Sequence, residues 1–245
     1  MTALLEIEGM TKRFGGVTAV DRCAFSIPSG TISALIGPNG SGKTTVFNMI
    51  TGYVRADAGR VSFDGGPVAR PDPVRLYRSG LTRTFQQARV FHQLTLVENL
   101  TVDIQQPRWA LLRRDVGPTD RARAEEVLGE FGLADLAENR ARELSFGQQK
   151  LLEFATVLMG NPKLVLLDEP TAGVNPVMVE AMERRIRDLH RRGITFLIVE
   201  HEMSLVMRLC DPVIVLDHGT KVAEGTPAAV QRDPVVLDAY LGSER

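Results

Sequence analysis

The chain has 245 residues, 44% hydrophobic and 24% charged, with 29 basic against 30 acidic side chains and a formal net charge of −1. That length buries a sizeable core, as one large α/β domain or two small ones. The balanced charge offers neither a basic surface for nucleic acid nor an acidic arm. Cys23 and Cys210 stand far apart with no CxxC or Cys/His spacing, the pattern of reduced, buried thiols in a cytosolic protein. No stretch approaches the ~20 apolar residues that span a bilayer, and the first residues lack the pattern of a signal peptide. Work at a membrane would therefore need a spanning partner chain.

Residues 4–8 and 18–27 alternate or cluster apolar side chains as strands do, joined at Phe14-Gly15-Gly16. Pro28-Ser29-Gly30 is a turn, and 31–36 is a short strand feeding a glycine-rich loop. Val46, Phe47 and Ile50 give helical spacing from Lys43 to Gly52. Strands are expected at 60–63 and 81–85. From about 95 to 142 helical spacing takes over: Val97, Leu100, Val102 and Ile104, then Ala124, Val127, Leu128, Phe131, Leu133 and Leu136. This reads as a helical insertion. Strand patterning returns at 164–168, 194–199, 213–217 and 220–224, with helices at 176–191 and 202–210 between them. Two short helices close the chain from Thr226. Such alternation after a glycine-rich loop predicts an α/β fold, a mostly parallel sheet with helices on both faces.

Gly37-Pro38-Asn39-Gly40-Ser41-Gly42-Lys43-Thr44 fits G-x-x-x-x-G-K-[ST], with a strand before it and a helix after. Its glycines let backbone N–H groups converge on phosphate oxygens, and the helix adds its positive end. Lys43 is suited to the β- and γ-phosphates, and the Thr44 hydroxyl to Mg²⁺. The apolar strand 164–167 ends in Asp168-Glu169. Asp168 emerges at the sheet edge, where it suits Mg²⁺. Glu169 points elsewhere and suits polarising an attacking water. The same Asp-Glu-Pro also reads as an acidic cap on a helix start.

Between loop and acidic strand lies Leu144-Ser145-Phe146-Gly147-Gln148-Gln149, and past the strand come Ala172-Gly173-Val174-Asn175 and His201. In this order the chain resembles the ATP-binding cassette (ABC) ATPases essentially end to end. The resemblance implies a P-loop NTPase fold of the ABC type. It would have a mostly parallel sheet, an antiparallel β subdomain and an inserted helical subdomain. The implied division is a catalytic core with its β subdomain over 1–92 and 160–225, a helical subdomain over 93–159, and a helical extension over 226–245. It further implies that Phe14 stacks on adenine, with Val20 as a second contact. Gly37, Pro38, Asn39, Gly40, Ser41, Gly42, Lys43, Thr44 and Thr45 would hold the phosphates of ATP. Thr44, Gln86 and Asp168 would hold Mg²⁺, and Lys43, Gln86, Glu169 and His201 would carry catalysis.

The resemblance also implies that Ser145, Gly147 and Gln148 open a helix toward the phosphate of a nucleotide held by a second ABC ATPase subunit, self or paralogue, in a head-to-tail dimer. Two departures stand out: Phe146 replaces a common glycine, and Asn175 replaces the usual aspartate. Asn175-Pro176 also reads as a helix cap followed by proline in the first turn. His92, His190 and His218 have no motif support and are left as structural.

Arg83-Thr84-Phe85-Gln86, Phe47-Asn48-Met49-Ile50-Thr51-Gly52, Val199-Glu200-His201-Glu202-Met203 and Ala239-Tyr240-Leu241-Gly242 are similar to the G-type (LivG-like) ATPase subunit of branched-chain amino-acid importers. That implies integral-membrane permease partners, a separate solute-binding protein that chooses the solute, and a peripheral place on the cytoplasmic face of the inner membrane. A permease coupling helix would meet Gln86 to Leu94, where Phe91 and Leu94 are apolar; the two could equally pack the helical insertion. Two other readings remain. A lipopolysaccharide-export ATPase is similar in size, though its relatives favour Leu-Ser-Gly-Gly and Asp-His. A soluble ABC protein of DNA repair or translation usually carries tandem cassettes or a long coiled coil, and no nucleic-acid partner is expected at this charge.

Overall fold

The computed structural model describes residues 2–84, 90–102 and 117–242. Strands β3 (Ile32–Ile36), β7 (Leu164–Asp168), β8 (Thr195–Val199) and β9 (Val213–Asp217) are apolar on both faces. A strand that excludes water on both sides needs a layer against each. Together with β6 (Leu81–Arg83) and β10 (Thr220–Gly225) they form a six-stranded sheet in the order β10-β9-β3-β8-β7-β6. All neighbours in it run parallel except the β9–β10 hairpin.

Alternate side chains feed two separate cores. Val165, Leu167, Phe196 and Ile198 join the core built with the helices α3 (Leu96–Thr101), α4 (Pro118–Glu130), α5 (Phe146–Leu158), α6 (Pro176–Arg191) and α7 (Met203–Leu209). Leu164, Leu166, Leu197 and Val199 face the opposite core. There the sheet meets α1 (Lys43–Ile50), α2 (Pro73–Ser79) and a four-stranded antiparallel sheet. Its order is β2-β1-β4-β5, from β1 (Ala3–Phe14), β2 (Val17–Pro28), β4 (Ala58–Phe63) and β5 (Gly66–Val68). Helices α3, α4 and α5 pack on one another. Helices α8 (Pro227–Gln231) and α9 (Pro234–Gly242) lie against β10.

The expected fold is the observed one, with local differences. Strand β1 runs well beyond 4–8, because register shifts near Gly9 and Arg22 carry the ladder past breaks in the alternation, whereas β2 exceeds 18–27 by one residue at each end. Helix α2 and strand β5 were not anticipated; α2 buries only Leu76, so it shows no apolar period. Its start does carry a signal, since the Asp72 carboxylate accepts the Arg75 N–H (2.9 Å) ahead of Pro73. The strand expected at 81–85 is seen over Leu81–Arg83; Phe85 and Gln86 lie outside the described residues, as does Ile104.

Candidate active site

The phosphate-loop sequence leaves β3 at Gly37, where the backbone has φ +148 and a Cβ would sit 2.0 Å from the Leu216 carbonyl oxygen. Only glycine passes that point. Gly42 is pinned in the same way, 2.6 Å from the Ala19 carbonyl oxygen. The chain then enters α1 with no side-chain cap and no acid in its first turn, so its leading N–H groups are open to an anion. Lys43 is buried, its ammonium donating to the carbonyls of Gly37 (2.8 Å) and Pro38 (2.9 Å) and to Ser41 Oγ (3.4 Å). Burial lowers its pKa, and the nearby Glu169 and Asp168 oppose that shift. Asn39, Gly40 and Thr44 are exposed, and Thr45 is half-buried.

Two contacts that hold this loop were missed from sequence. Gly219, in the β9–β10 turn, donates to the Ser41 carbonyl (3.0 Å) and sits too close to Ala19 for a side chain. The half-buried Tyr240 of α9 hydrogen-bonds the Gly37 backbone, and burial pushes its phenol pKa up. Neither could be found from spacing, because they join residues 178 and 203 positions apart in the chain.

Asp168 ends β7 and Glu169 turns away from it, as expected. Asp168 is buried, with Oδ2 accepting from Arg83 Nη2 at 2.7 Å. Glu169 adopts the left-handed φ of +48 and donates its N–H to the Val199 carbonyl (2.9 Å). A non-glycine residue in that conformation is held by its surroundings, a common condition at working sites. The turn brings Glu169 Oε1 to 2.8 Å from His201 Nε2, with His201 43% exposed.

Behind this pair, Glu200 is buried and accepts from Thr171 N (3.0 Å), Thr171 Oγ1 (2.6 Å) and His201 N (3.1 Å). One carboxylate thus ties the segment after Glu169 to the strand end that carries His201. Lys150 of α5 is also buried. Burial lowers its pKa against the opposing fields of Glu153, Asp168, Glu169 and Glu200. Arg83, Lys150 and Glu200 were given no role from sequence. Their signal is a charge on an otherwise apolar strand end or helix face.

Ser145 caps α5, accepting the Gln148 N–H (3.4 Å) while Gln148 Oε1 accepts the Ser145 N–H (2.9 Å). This capping box leaves Ser145 exposed at the helix start. The Phe146 ring lies on Gly173, where a Cβ would be 3.2 Å from it, and Gly147 faces Met178 and Val174. Asn175 caps α6, accepting the Met178 N–H at 2.9 Å, so its side chain has a structural task. Phe14 presents a ring 48% exposed at the end of β1, with the Lys12 ammonium 5.3 Å from its centroid. Val20 is a correction: it is fully buried behind Gly42, so it backs the loop and offers no face to a base. His190 meets the Ile194 carbonyl at 3.4 Å, and His218 is exposed in the β9–β10 turn.

A cleft of about 420 Å³ is lined by Tyr53, Val74, Arg78, Arg83 and Phe91, among others. Tyr53, Val74 and Phe91 are exposed apolar side chains. Leu94, expected beside Phe91, is half-buried outside that lining, with its carbonyl accepting the Ala141 N–H (3.0 Å). Of the apolar residues expected near Gln86, Phe91 therefore lines the cleft and Leu94 does not.

The family profile described as "ABC transporter" matches residues 20–172, and that described as "Branched-chain amino acid ATP-binding cassette transporter" matches 220–245. The chain is 36% identical over 249 residues to the high-affinity branched-chain amino acid transport ATP-binding protein BraF of Pseudomonas aeruginosa, covering 98% of each chain. It is 35% identical over 251 residues to the probable branched-chain amino acid transport ATP-binding protein LivG of Archaeoglobus fulgidus, covering 98% of this chain and 96% of that one. Among solved structures it is similar to the ADP conformation of an ATP-binding cassette of an ABC transporter. There the TM-score is 0.89 at 34% identity, over 99% of this chain and 100% of the other. It is also similar to a dimeric post-hydrolysis cassette bound to ADP and phosphate, with TM-score 0.79 and 26% identity over 91% and 98% of the two chains. The chain belongs to the ABC transporter family, in its branched-chain amino-acid branch, and is an ATPase subunit of that class.

Proposed function

We propose that this chain couples ATP hydrolysis to the import of branched-chain amino acids or related small solutes, as one of two ATPase subunits on a membrane permease. The observation that carries the chemistry is the 2.8 Å pairing of Glu169 with His201 at the sheet edge that also presents Lys43. The backbone of Gly37 to Thr45 cradles the phosphates, and Phe14 stacks on adenine. Glu169 takes the proton of the attacking water, and His201 holds Glu169 and the γ-phosphate in line.

Mg²⁺ suits the donors here. Among the described residues no cluster of three His, Cys, Asp or Glu forms a cage. Asp168 and Thr44 supply hard oxygens of the kind this ion takes together with substrate phosphates. Bound there with Gln86, the ion would neutralise charge on the transferring phosphoryl group.

Ser145, Gly147 and Gln148 reach a nucleotide on the opposing subunit, so each site is composite. The dimeric relative bound to ADP and phosphate supports this arrangement. Residues 1–92 and 160–225 act as the catalytic unit, 93–159 as the helical unit and 226–245 as the extension. Among the described residues no helix is long and apolar enough to cross a membrane. The cleft at Tyr53, Val74 and Phe91 is the place for a permease coupling helix, which would hold the subunit on the cytoplasmic face. The importer reading is favoured over export by the match of residues 220–245 to the branched-chain amino-acid profile.

Two variants test this. Phe91→Asp should release the subunit from its co-expressed permease on affinity purification while ATP binding persists; retained complex would remove the cleft from the interface. Ser145→Arg should leave nucleotide binding to the single subunit intact and abolish ATP-induced dimerisation in sedimentation. A stable ATP-bound dimer of Ser145→Arg would contradict the composite site.

A further inference from the structure

Arg83 has an unusual set of neighbours for a buried cation. It is the last residue of β6, and its side chain is 5% exposed. Nη2 donates to Asp168 Oδ2 at 2.7 Å. Nη1 donates to Asn48 Oδ1 (2.7 Å) and Thr51 Oγ1 (3.1 Å), at the far end of the helix that leaves the phosphate loop. The guanidinium carbon lies 5.5 Å from the Phe47 ring centroid and 5.9 Å from that of Tyr53. Arg83, Thr51 and Tyr53 all line the cleft. One planar group therefore spans the acidic strand end, the phosphate-loop helix and the cleft wall.

The geometry favours positioning over simple neutralisation. The two arms of the guanidinium bond different elements, so the fork fixes the Asp168 carboxylate relative to α1 and thus relative to Thr44. It engages the carboxylate at Oδ2. Lysine carries the same charge but as a compact ammonium on a flexible stem, without the planar fork that fixes two directions rigidly. Outer partners of this kind orient a metal-binding carboxylate, and their loss typically weakens metal binding about ten- to a hundredfold.

We propose that Arg83 is a positioning residue that sets the Asp168 carboxylate for Mg²⁺ and connects that setting to the wall of the cleft through Tyr53. This deepens the reading of Asp168 as a Mg²⁺ carboxylate and rests on it. A helix seated in the cleft against Tyr53 then acts on the metal site through a single stacked side chain.

The experiment measures binding, not turnover. A fluorescent ATP analogue is titrated onto the purified subunit with EDTA and across a Mg²⁺ series, with thermal unfolding as the folding control. Arg83→Gln is expected to lower the apparent Mg²⁺ affinity of the nucleotide complex about tenfold or more, with Mg²⁺-free nucleotide binding within about twofold of wild type. Arg83→Lys should recover only part of the loss. Tyr53→Ala, at an exposed position, should shift Mg²⁺ affinity about two- to fivefold in the same direction, and it decides the matter if Arg83→Gln does not fold.

Unchanged or tighter Mg²⁺ binding in folded Arg83→Gln overturns the proposal, as does an equal loss with and without Mg²⁺. A shift in Arg83→Gln with none in Tyr53→Ala overturns the link to the cleft. Wild-type nucleotide binding indifferent to Mg²⁺ would remove the reading of Asp168 itself and the proposal with it.

Discussion

The 2.8 Å contact between Glu169 and His201 depends on a strained residue. Glu169 holds a left-handed φ with its N–H anchored on the Val199 carbonyl, and in that turn its carboxylate meets the histidine. Removing the imidazole as His201→Ala should lower steady-state phosphate release about a hundredfold while ATP binding is kept; turnover within a factor of three would dismiss the histidine from the chemistry. Gly37→Ala should cost about 3 kcal/mol or more in urea denaturation, because the new Cβ meets the Leu216 carbonyl at 2.0 Å and φ +148 is unfavourable. Equal stability would show that the loop yields. Asp168 was legible because it ends an apolar strand run, and Glu169 and His201 because each lies within two residues of a strand end. Arg83 was not, since its partner lies 85 residues away and the pair depends on the registry of Arg83 against Leu166.

Elements were legible where period and cap agree. Helix α6 was placed at its true bounds because Asn175-Pro176 marks its start and Val179, Met182, Ile186 and Leu189 keep its apolar face. Asn175→Ala should destabilise the protein by about 1 kcal/mol through loss of the cap, read as a lower urea midpoint. Asn175→Asp should restore it, and a stability loss as large as that of alanine would count against the cap. Strand β5 and helix α2 escaped notice for the opposite reason. They are short, mostly solvent-facing and held by neighbours, so tertiary contacts rather than pattern fix them. Strand β1 exceeded its sequence pattern because bulges let pairing continue where alternation breaks.

Over the whole molecule the six-stranded sheet divides two apolar cores, and each holds one cysteine: Cys23 in one and Cys210 in the other. Burial pushes both thiol pKa values up to about 12. The unfolded chain, with thiols near 9.0, releases their protons first. Both therefore add stability that is full below about 9 and lost as pH rises toward about 12. Iodoacetamide at pH 8 should label neither thiol until the protein is unfolded, by intact mass; rapid labelling of the native protein would contradict their burial. This layered plan was legible because fully apolar strands demand cover on both faces. The helix that closes onto Gly37 through Tyr240 was legible only as a helix, since no local pattern says where a terminal segment docks. What the layers accomplish is to bring a phosphate loop, an acidic strand end and a histidine to one edge. The most direct test is Glu169→Gln in a phosphate-release assay beside ATP binding by the same preparation. The account predicts ATP binding within about threefold of wild type and turnover reduced at least a hundredfold. Undiminished hydrolysis by that variant would contradict it.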